Sequence, residues 1–482
     1  MRWGFVFEVC GVLIVFAGLA QIFPLLWSLY YNDGIAVSIL YSMLFSVTMG
    51  AVLRFGLRRK TKRPVSAREG MAMVTLGWAA VSFFSALPFW FSSSIPSFSS
   101  AFFESVSGLT TTGSTILTDI EAMPKSLLFW RSFLQWVGGM GIVLFSIAIL
   151  PFIGIGGMAL FKAEVPTPLP DKLKPRLQET AKLLWWVYAL ISLLGVIALK
   201  LGGMTFFDSL CHALTTLPSG GFSTKNASIA HYDSAYIDFV LIFFMILAGL
   251  NFTLHFQFLR GRKITAFNDP EAKVFLITIL ILSLIVTFNL FGSVYDNVFD
   301  AFRYGSFQIV SIITTTGYAT ADYELWPGMS QVIIFFCFFV GSSAGSTAGG
   351  MKFIRIMICA KYCYKEIFKL IHPRAVSQIK IGGQSLDDGV VHSILGFMVL
   401  YIGIFVIAAI LLASMGVDLL TTISASASAI GNIGPGFGYV GPTESYASIP
   451  DAGKWLLGIC MLIGRLEIYT VIILFVPAFW RD

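Results

Sequence analysis

Four short glycine-containing segments recur along the chain, and each follows a short apolar stretch and precedes a long one. They are Thr111-Thr112-Gly113, Ser219-Gly220-Gly221, Thr315-Thr316-Gly317 and Gly434-Pro435-Gly436. Irregular backbone at membrane depth is tolerated only where it is buried in protein or lines a cavity. A ring of backbone carbonyls can replace the hydration shell of a K⁺ ion. The four segments therefore predict a cation filter made from four parts of one chain.

Glycine has a specific use in such a segment. A filter strand turns its carbonyls toward one axis, which requires positive φ at some positions, and glycine reaches these conformations without strain. The alternative is that these glycines only allow membrane helices to pack closely. Four segments in matching surroundings favour the filter over this alternative.

The composition places these segments in a membrane protein. Hydrophobic residues make up 56% of the 482 positions, charged residues only 12%, and the mean hydropathy is +0.81. This is outside the range of soluble domains and makes membrane lipid the expected surroundings. The six cysteines and five histidines show no metal-binding spacing,. No nucleotide-binding fingerprint and no nucleic-acid-binding pattern is evident, so we expect no covalently bound cofactor and no nucleic-acid partner.

The order of apolar segments predicts an all-α polytopic membrane protein. Four repeats of span, pore helix and span surround a central pore, and two extra transmembrane helices precede them. The predicted spans are 4–30, 36–54, 71–93, 126–151, 183–201, 235–259, 272–291, 330–371, 390–414 and 454–479,. The stretches 100–111, 207–217, 299–315 and 418–430 are too short to span and are expected to be re-entrant helices, capped by Ser100, Asp208, Asp300 and Asp418,.

This order divides the chain into five regions. Residues 1–68 are the two-helix N-terminal region, and residues 69–180, 181–265, 266–385 and 386–482 are repeats one to four. Basic residues concentrate in alternate connections, which the positive-inside rule assigns to the cytoplasm together with both termini. These residues are Arg54, Arg58, Arg59, Lys60, Lys62, Arg63, Lys162, Lys172, Lys174, Arg176, Arg260, Arg262, Lys263, Lys361, Lys365, Lys369 and Arg374.

A run of small residues interrupts the apolar segment 330–371. It contains Gly341, Ser343, Gly345, Ser346, Thr347, Gly349 and Gly350. Such a composition disfavours a stable helix and suits a movable loop. Two alternatives are a helix-packing face formed by the glycines and a hydrolase nucleophile at Ser343, which lies in a G-x-S-x-G sequence.

Arg465 lies within the last apolar segment. A charge at that depth is costly and marks a functional site by default, although an ion pair with another helix is the structural alternative. Glu467, only two residues away, would face another side of a helix.

The runs Val106–Thr115 and Val310–Tyr318 resemble those of the Trk/Ktr/HKT superfamily of K⁺ transport proteins, and the resemblance extends over essentially the whole chain. The two extra N-terminal spans make it most similar to the membrane subunits of bacterial Trk systems. The resemblance implies that the four glycine segments form a K⁺ filter, that Rb⁺ is also accepted, and that residues 341–350 with Arg465 form a gate. A Na⁺-permeable or Na⁺- or H⁺-coupled transporter is the alternative within the superfamily.

The resemblance also implies partners and location. It predicts a homodimer in the bacterial inner membrane and a separate cytosolic subunit of the TrkA type. NAD or ATP would bind that subunit and not this chain.

Overall fold

The structure is a computed structural model and describes residues 1–56, 66–148, 173–259, 261, 268–374 and 378–480. In this part of the chain, six helices are long and apolar enough to cross a membrane, or up to eight if each of two bent pairs counts as one span. The longer helices are Trp3–Ala20 with Ile22–Tyr31, Ala36–Gly56, Ala67–Phe91, Lys125–Ala148, Leu173–Leu201, Pro270–Leu290, Phe353–Ile371 and Asp388–Ser414. The predicted helical membrane protein is confirmed.

Four short buried helices, here called the half-helices, lie between longer ones. Their bounds are Phe98–Leu109, Phe206–Thr216, Val298–Ile313 and Leu419–Gly431. Most of their residues are buried, including a run of polar residues in the fourth. Each stands where the sequence predicts a re-entrant helix.

The caps of the half-helices differ from the prediction in three cases. Asp418 caps the fourth half-helix as predicted, its carboxylate accepting from the Thr421 amide. Ser97, Thr205 and Asn297 occupy the cap position of the other three. Ser100, Asp208 and Asp300 therefore lie one turn inside their helices, because each helix begins earlier than the apolar residues suggest.

Three of the spans predicted from sequence are interrupted. Helices Ala235–Gly249 and Phe252–Leu259 meet at 100°, and helix Asp451–Arg465 meets Ile468–Phe475 at 119°. Neither bend was predicted, since 235–259 and 454–479 were expected to be single spans. In the third case, the predicted break within 330–371, non-helical residues separate helix Gly328–Cys337 from Phe353–Ile371.

Close glycine contacts join the first two spans. A Cβ added at Gly11 would lie 2.7 Å from the Gly50 carbonyl oxygen, and one added at Gly50 would lie 2.7 Å from the Gly11 carbonyl oxygen. This is the close backbone approach that small residues permit between membrane helices. Arg2 joins the pair to helix Ala67–Phe91 through a 2.6 Å ion pair with Glu69.

A short antiparallel hairpin follows helix Phe353–Ile371. Its strands are Lys380–Ile381 and Gln384–Ser385. The buried side chain of Ile381 joins a cluster with Ile354 and Ile358 at the start of that helix. The hairpin thus packs against the first turns of helix Phe353–Ile371.

Candidate cation pathway

The segments that follow the four half-helices share one backbone conformation. In each, the first residue has a positive φ, the second does not, and the third is a glycine with positive φ. The pairs are Thr111 (53°) and Gly113 (87°), Ser219 (57°) and Gly221 (74°), Thr315 (55°) and Gly317 (78°), and Asn432 (53°) and Gly434 (110°). We call residues 111–113, 219–221, 315–317 and 432–434 the ring segments.

The hydrogen bonds confirm that these segments correspond. The amide of the middle residue donates to a carbonyl five positions earlier, on the preceding half-helix, in every segment. The bonds are Thr112 to Ser107 (2.9 Å), Gly220 to Thr215 (2.8 Å), Thr316 to Ser311 (2.8 Å) and Ile433 to Ser428 (3.1 Å).

This correspondence corrects the predicted frame of the fourth segment. The sequence pattern aligns Gly434-Pro435-Gly436 with Thr111-Thr112-Gly113, but the structure places Asn432-Ile433-Gly434 there. Gly436 makes different contacts, since its amide donates to the Val440 carbonyl (2.6 Å) and its carbonyl accepts from the Tyr323 hydroxyl (2.7 Å). The fourth copy is hard to align because it has Asn432 where the other copies have Thr or Ser. Its middle residue is Ile433, where the other copies have Thr or Gly.

The four ring segments meet in a closed cycle. A Cβ added at Gly113 would lie 2.1 Å from the Gly220 carbonyl oxygen, and one at Gly221 would lie 1.8 Å from that of Thr316. A Cβ at Gly317 would lie 2.0 Å from the Ile433 oxygen, and one at Gly434 would lie 2.9 Å from the Thr112 oxygen. Each glycine thus faces the carbonyl of the next segment, and the fourth faces the first.

Buried hydrogen bonds hold the ring segments in place. Thr112 Oγ1 lies 2.8 Å from Thr110 Oγ1 and accepts from Asn432 Nδ2 at 2.9 Å. Gln135 Nε2 donates to the Gly220 carbonyl at 2.7 Å. These contacts join segments that are distant in sequence, so the ring is tied to the surrounding helices.

A buried ion pair lies beside the ring, and the sequence analysis missed it. Arg131 Nε lies 2.7 Å from Glu104 Oε1, and the two side chains are 1% and 0% exposed. The guanidinium also donates to the Ser223 carbonyl and lies over the Phe222 ring, 4.1 Å from its centroid. The signal was available, because the rule applied to Arg465 marks any charge within an apolar segment.

A cavity of about 190 Å³ opens at one end of the ring. All four copies line it, through Gly113, Gly221, Gly317 and Gly434 among others. Near this mouth, Asn226 Nδ2 donates to Asp119 Oδ1 at 3.0 Å, and this bond lowers the pKa of Asp119 below its ordinary value. The cavity therefore reaches all four ring segments from one end.

The small-residue loop, residues 341–350, lies against the opposite side of the ring. The Gly349 amide donates to Thr315 Oγ1 at 2.8 Å, and the Ser342 hydroxyl donates to the Ile313 carbonyl at 3.2 Å. The Thr347 hydroxyl donates to the Leu217 carbonyl at 2.8 Å. The loop therefore contacts the ends of the second and third half-helices.

The loop also occupies the bend at 249–252. The Ser343 amide donates to the Gly249 carbonyl, and the Phe252 amide donates to the Gly345 carbonyl, both at 3.1 Å. These residues are not helical, so the glycines at 341, 345 and 349 do not form a helix-packing face. Within the described part of the chain, Ser343 Oγ has no hydrogen-bond partner, so no imidazole there activates it as a nucleophile,.

Arg465 lies at the end of a helix and not in the middle of a continuous span, because the last span bends there. It is 3% exposed, and its Nη1 donates to the Thr347 carbonyl at 2.5 Å while Nη2 donates to the Gly138 carbonyl at 3.4 Å. No carboxylate among the described residues forms an ion pair with it. Glu467 instead pairs with Arg355 at 2.5 Å.

The corrected frame predicts unequal effects of two alanine substitutions. We expect Gly434→Ala to lower ion flux strongly, because φ is 110° at this position and the new Cβ would lie 2.9 Å from the Thr112 oxygen,. At Gly436 the atoms nearest an added Cβ are side-chain atoms of Ser424 and Val440, both at 2.8 Å, which can shift more easily than backbone, and φ is not positive, so Gly436→Ala should retain more flux. Flux into liposomes that contain equal amounts of each variant measures the difference. A larger loss in Gly436→Ala would restore the original frame.

Comparisons with known proteins agree with this architecture. Residues 36–481 match the family model TrkH, described as cation transport protein. The chain is 39% identical to the Trk system potassium uptake protein TrkH of Halomonas elongata, over 99% of both proteins. It is 38% identical to the protein of the same name from Escherichia coli K12, over the full length of both. The crystal structure of the potassium transporter TrkH from Vibrio parahaemolyticus superposes with a TM-score of 0.92 at 38% identity, covering all of both chains. The chain belongs to the TrkH family of cation transport proteins.

Proposed function

We propose that the chain is the K⁺-translocating membrane subunit of a potassium uptake system and that it also carries Rb⁺. The closed cycle of ring segments is the observation that carries this proposal. The relatives at 38–39% identity are named as potassium uptake proteins, which supports K⁺ as the ion. A family of cation transport proteins is not a family of enzymes, which excludes the serine hydrolase.

The ring supplies the ligands that a dehydrated ion needs. Carbonyl oxygens replace the water around K⁺, and the glycines keep side chains out of the space between adjacent segments. Each half-helix ends at its ring segment. The partial negative charge at the C-terminal end of a helix favours a cation there. Bound ions would lie at the backbone of Thr111–Gly113, Ser219–Gly221, Thr315–Gly317 and Asn432–Gly434, with Pro435 next to the fourth segment.

The four repeats and the gate belong to the same proposal. Repeats 69–180, 181–265, 266–385 and 386–482 would each contribute one half-helix and one ring segment, with 1–68 outside the pore. The loop with Gly341, Ser343, Gly345, Ser346, Thr347, Gly349 and Gly350 blocks the pathway next to the ring, and Arg465 adds an electrostatic barrier. A like charge at about 4 Å costs about 4 kcal/mol at an effective dielectric constant of about 20.

A Na⁺-permeable transporter, or one coupled to Na⁺ or H⁺, is the alternative. All four ring segments keep a glycine, which by the resemblance to the K⁺ transport superfamily favours K⁺ over Na⁺. Ion uptake by liposomes with and without an imposed proton or Na⁺ gradient separates coupled transport from passive flux.

Liposome flux is also the main test of the function. Purified protein should carry K⁺ and ⁸⁶Rb⁺ much faster than Na⁺. Gly113→Ser should reduce this preference, because a side chain would enter the space next to the Gly220 carbonyl. Equal permeability to K⁺ and Na⁺ in the parent protein would refute the K⁺ assignment. An unchanged ratio in Gly113→Ser would remove Gly113 from the filter.

The gate predicts faster flux when Arg465 or the loop is altered. Arg465→Ala removes the charge and the hydrogen bond to Thr347, so basal ⁸⁶Rb⁺ flux should rise while the preference for K⁺ over Na⁺ stays. Deletion within 341–350 should act in the same direction. Arg465→Lys keeps the charge and serves as the matched control. If folded Arg465→Ala and loop-deletion proteins both conduct no faster than the parent, the gate is placed wrongly.

Partners complete the proposal. The basic connections would bind a TrkA-like cytosolic subunit that carries NAD or ATP, in a homodimer in the bacterial inner membrane with both termini in the cytoplasm. Of the basic residues named for these connections, ten lie outside the described residues: Arg58, Arg59, Lys60, Lys62, Arg63, Lys162, Lys172, Arg260, Arg262 and Lys263. Pull-down from native membranes in mild detergent should recover a nucleotide-binding subunit, and the purified membrane protein should have twice the 52.9 kDa chain mass. Recovery of the membrane chain alone, at monomer mass, would contradict both statements.

A further inference from the structure

A buried carboxylate holds both sides of the intramembrane loop. Glu271 is the second residue of helix Pro270–Leu290 and is 7% exposed. Its Oε1 accepts from the Ala344 amide at 2.8 Å and from the Ile354 amide at 3.0 Å. Ala344 lies within the loop, whereas Ile354 lies in the first turn of the helix that follows it. One oxygen atom therefore joins the loop at Ala344 to the start of the following helix at Ile354.

The contact is not explained by capping of Glu271's own helix. Asp269 already caps that helix, with Oδ1 accepting from the Ala272 amide at 2.7 Å. The amide of Ile354 is among the first four of its helix, which have no partner within the helix. Glu271 thus satisfies donors on a different part of the chain.

Backbone hydrogen bonds also close the loop, because the Phe353 amide donates to the Ser342 carbonyl at 3.1 Å. The Gly341 amide bonds to the Met351 carbonyl at 2.7 Å, which brings the loop ends together. Lys352 Nζ donates to the Ala348 carbonyl within the loop. Among the described residues, Glu271 is the carboxylate that accepts from a loop amide, that of Ala344, and it adds to the contacts of Ser343, Thr347 and Gly349 that hold the loop against neighbouring elements.

Glu271 also lies close to the surface hairpin. A Cβ added at Gly382, at the hairpin turn, would lie 3.3 Å from Pro270 Cγ, one residue from Glu271. The hairpin residue Ile381 and Ile354 belong to one buried cluster, and Ala344 packs against that cluster. Both residues that donate to Glu271 are therefore in contact with the hairpin cluster. A displacement of the hairpin would reach the loop through these residues.

We propose that Glu271 is a positioning residue for the gate: it holds residues 344–354 in the conformation that blocks the pathway, and it transmits displacement of the hairpin to the loop. The role of Glu271 in gating rests on the proposed function. The contact that Glu271 makes is independent of which ion is carried.

The test compares Glu271→Ala and Glu271→Gln in the full chain with substitutions of Glu69. Glu69 is a matched control because it is buried near the start of another span and bonds to Ser66 and Arg2, away from the loop. Glutamine keeps an oxygen that accepts both bonds, whereas alanine keeps none. Hydrogen exchange followed by mass spectrometry reports the protection of peptides that cover 342–354, and ⁸⁶Rb⁺ flux reports the gate.

We expect Glu271→Ala to speed exchange in these peptides about tenfold or more, which corresponds to about 1.4 kcal/mol. Basal ⁸⁶Rb⁺ flux should rise severalfold, Glu271→Gln should give a smaller change in both, and Glu69→Ala should change neither. Unchanged exchange in folded Glu271→Ala would overturn the proposal, as would faster exchange without faster flux. If the alanine variant does not fold, the same two outcomes are read from Glu271→Met, which fills a similar space but has no oxygen to accept the two bonds. A parent protein without ⁸⁶Rb⁺ flux would refute the proposed function, while exchange would still decide whether Glu271 holds the loop.

Discussion

The contact between each ring glycine and the carbonyl of the next segment is the constraint on which the rest of the structure depends. Any side chain at Gly113, Gly221 or Gly317 would overlap an oxygen, so the four segments close into a cycle only as glycine backbone. The cycle also requires all four segments at one level. The half-helices satisfy this requirement, because each ends in the same hydrogen bond to its ring segment. Capping, burial and the ion pair of Arg131 with Glu104 all support that placement.

Irregular backbone interrupts three predicted spans, and part of it is the small-residue loop next to the ring. The polar groups of this backbone need partners that lipid does not provide. Side chains supply them. The Gly349 amide bonds to Thr315, the Thr347 carbonyl accepts from Arg465, and the amides of Ala344 and Ile354 share Glu271. The polar residues of this region are therefore as much a requirement of the backbone geometry as of ion passage.

The sequence predicts the order of spans and half-helices well because apolar length and repeated glycines are local signals. It fails where the decision is tertiary. The bend after Gly249 contains no proline that would reveal it in the sequence. At the second bend Glu467 has a positive φ (61°), although glutamate is not a residue that indicates a turn. The sequence misaligns the fourth ring segment because Gly434 and Gly436 look equivalent there, and only the backbone conformation and hydrogen bonds, such as that from the Ile433 amide to the Ser428 carbonyl, distinguish them. The partnership of Glu104 with Arg131 likewise joins elements that no spacing rule relates.

The ring is built from one chain, so its four walls are not identical. The distance from an added Cβ to the facing oxygen is 1.8–2.1 Å at three glycines but 2.9 Å at Gly434, and the middle residues are threonine, glycine, threonine and isoleucine. In a ring of four identical subunits, one altered codon changes every wall at once. Here the same event changes a single wall and leaves three intact. Variation in such a gene can adjust the ring one quarter at a time, in steps that a symmetric assembly does not have.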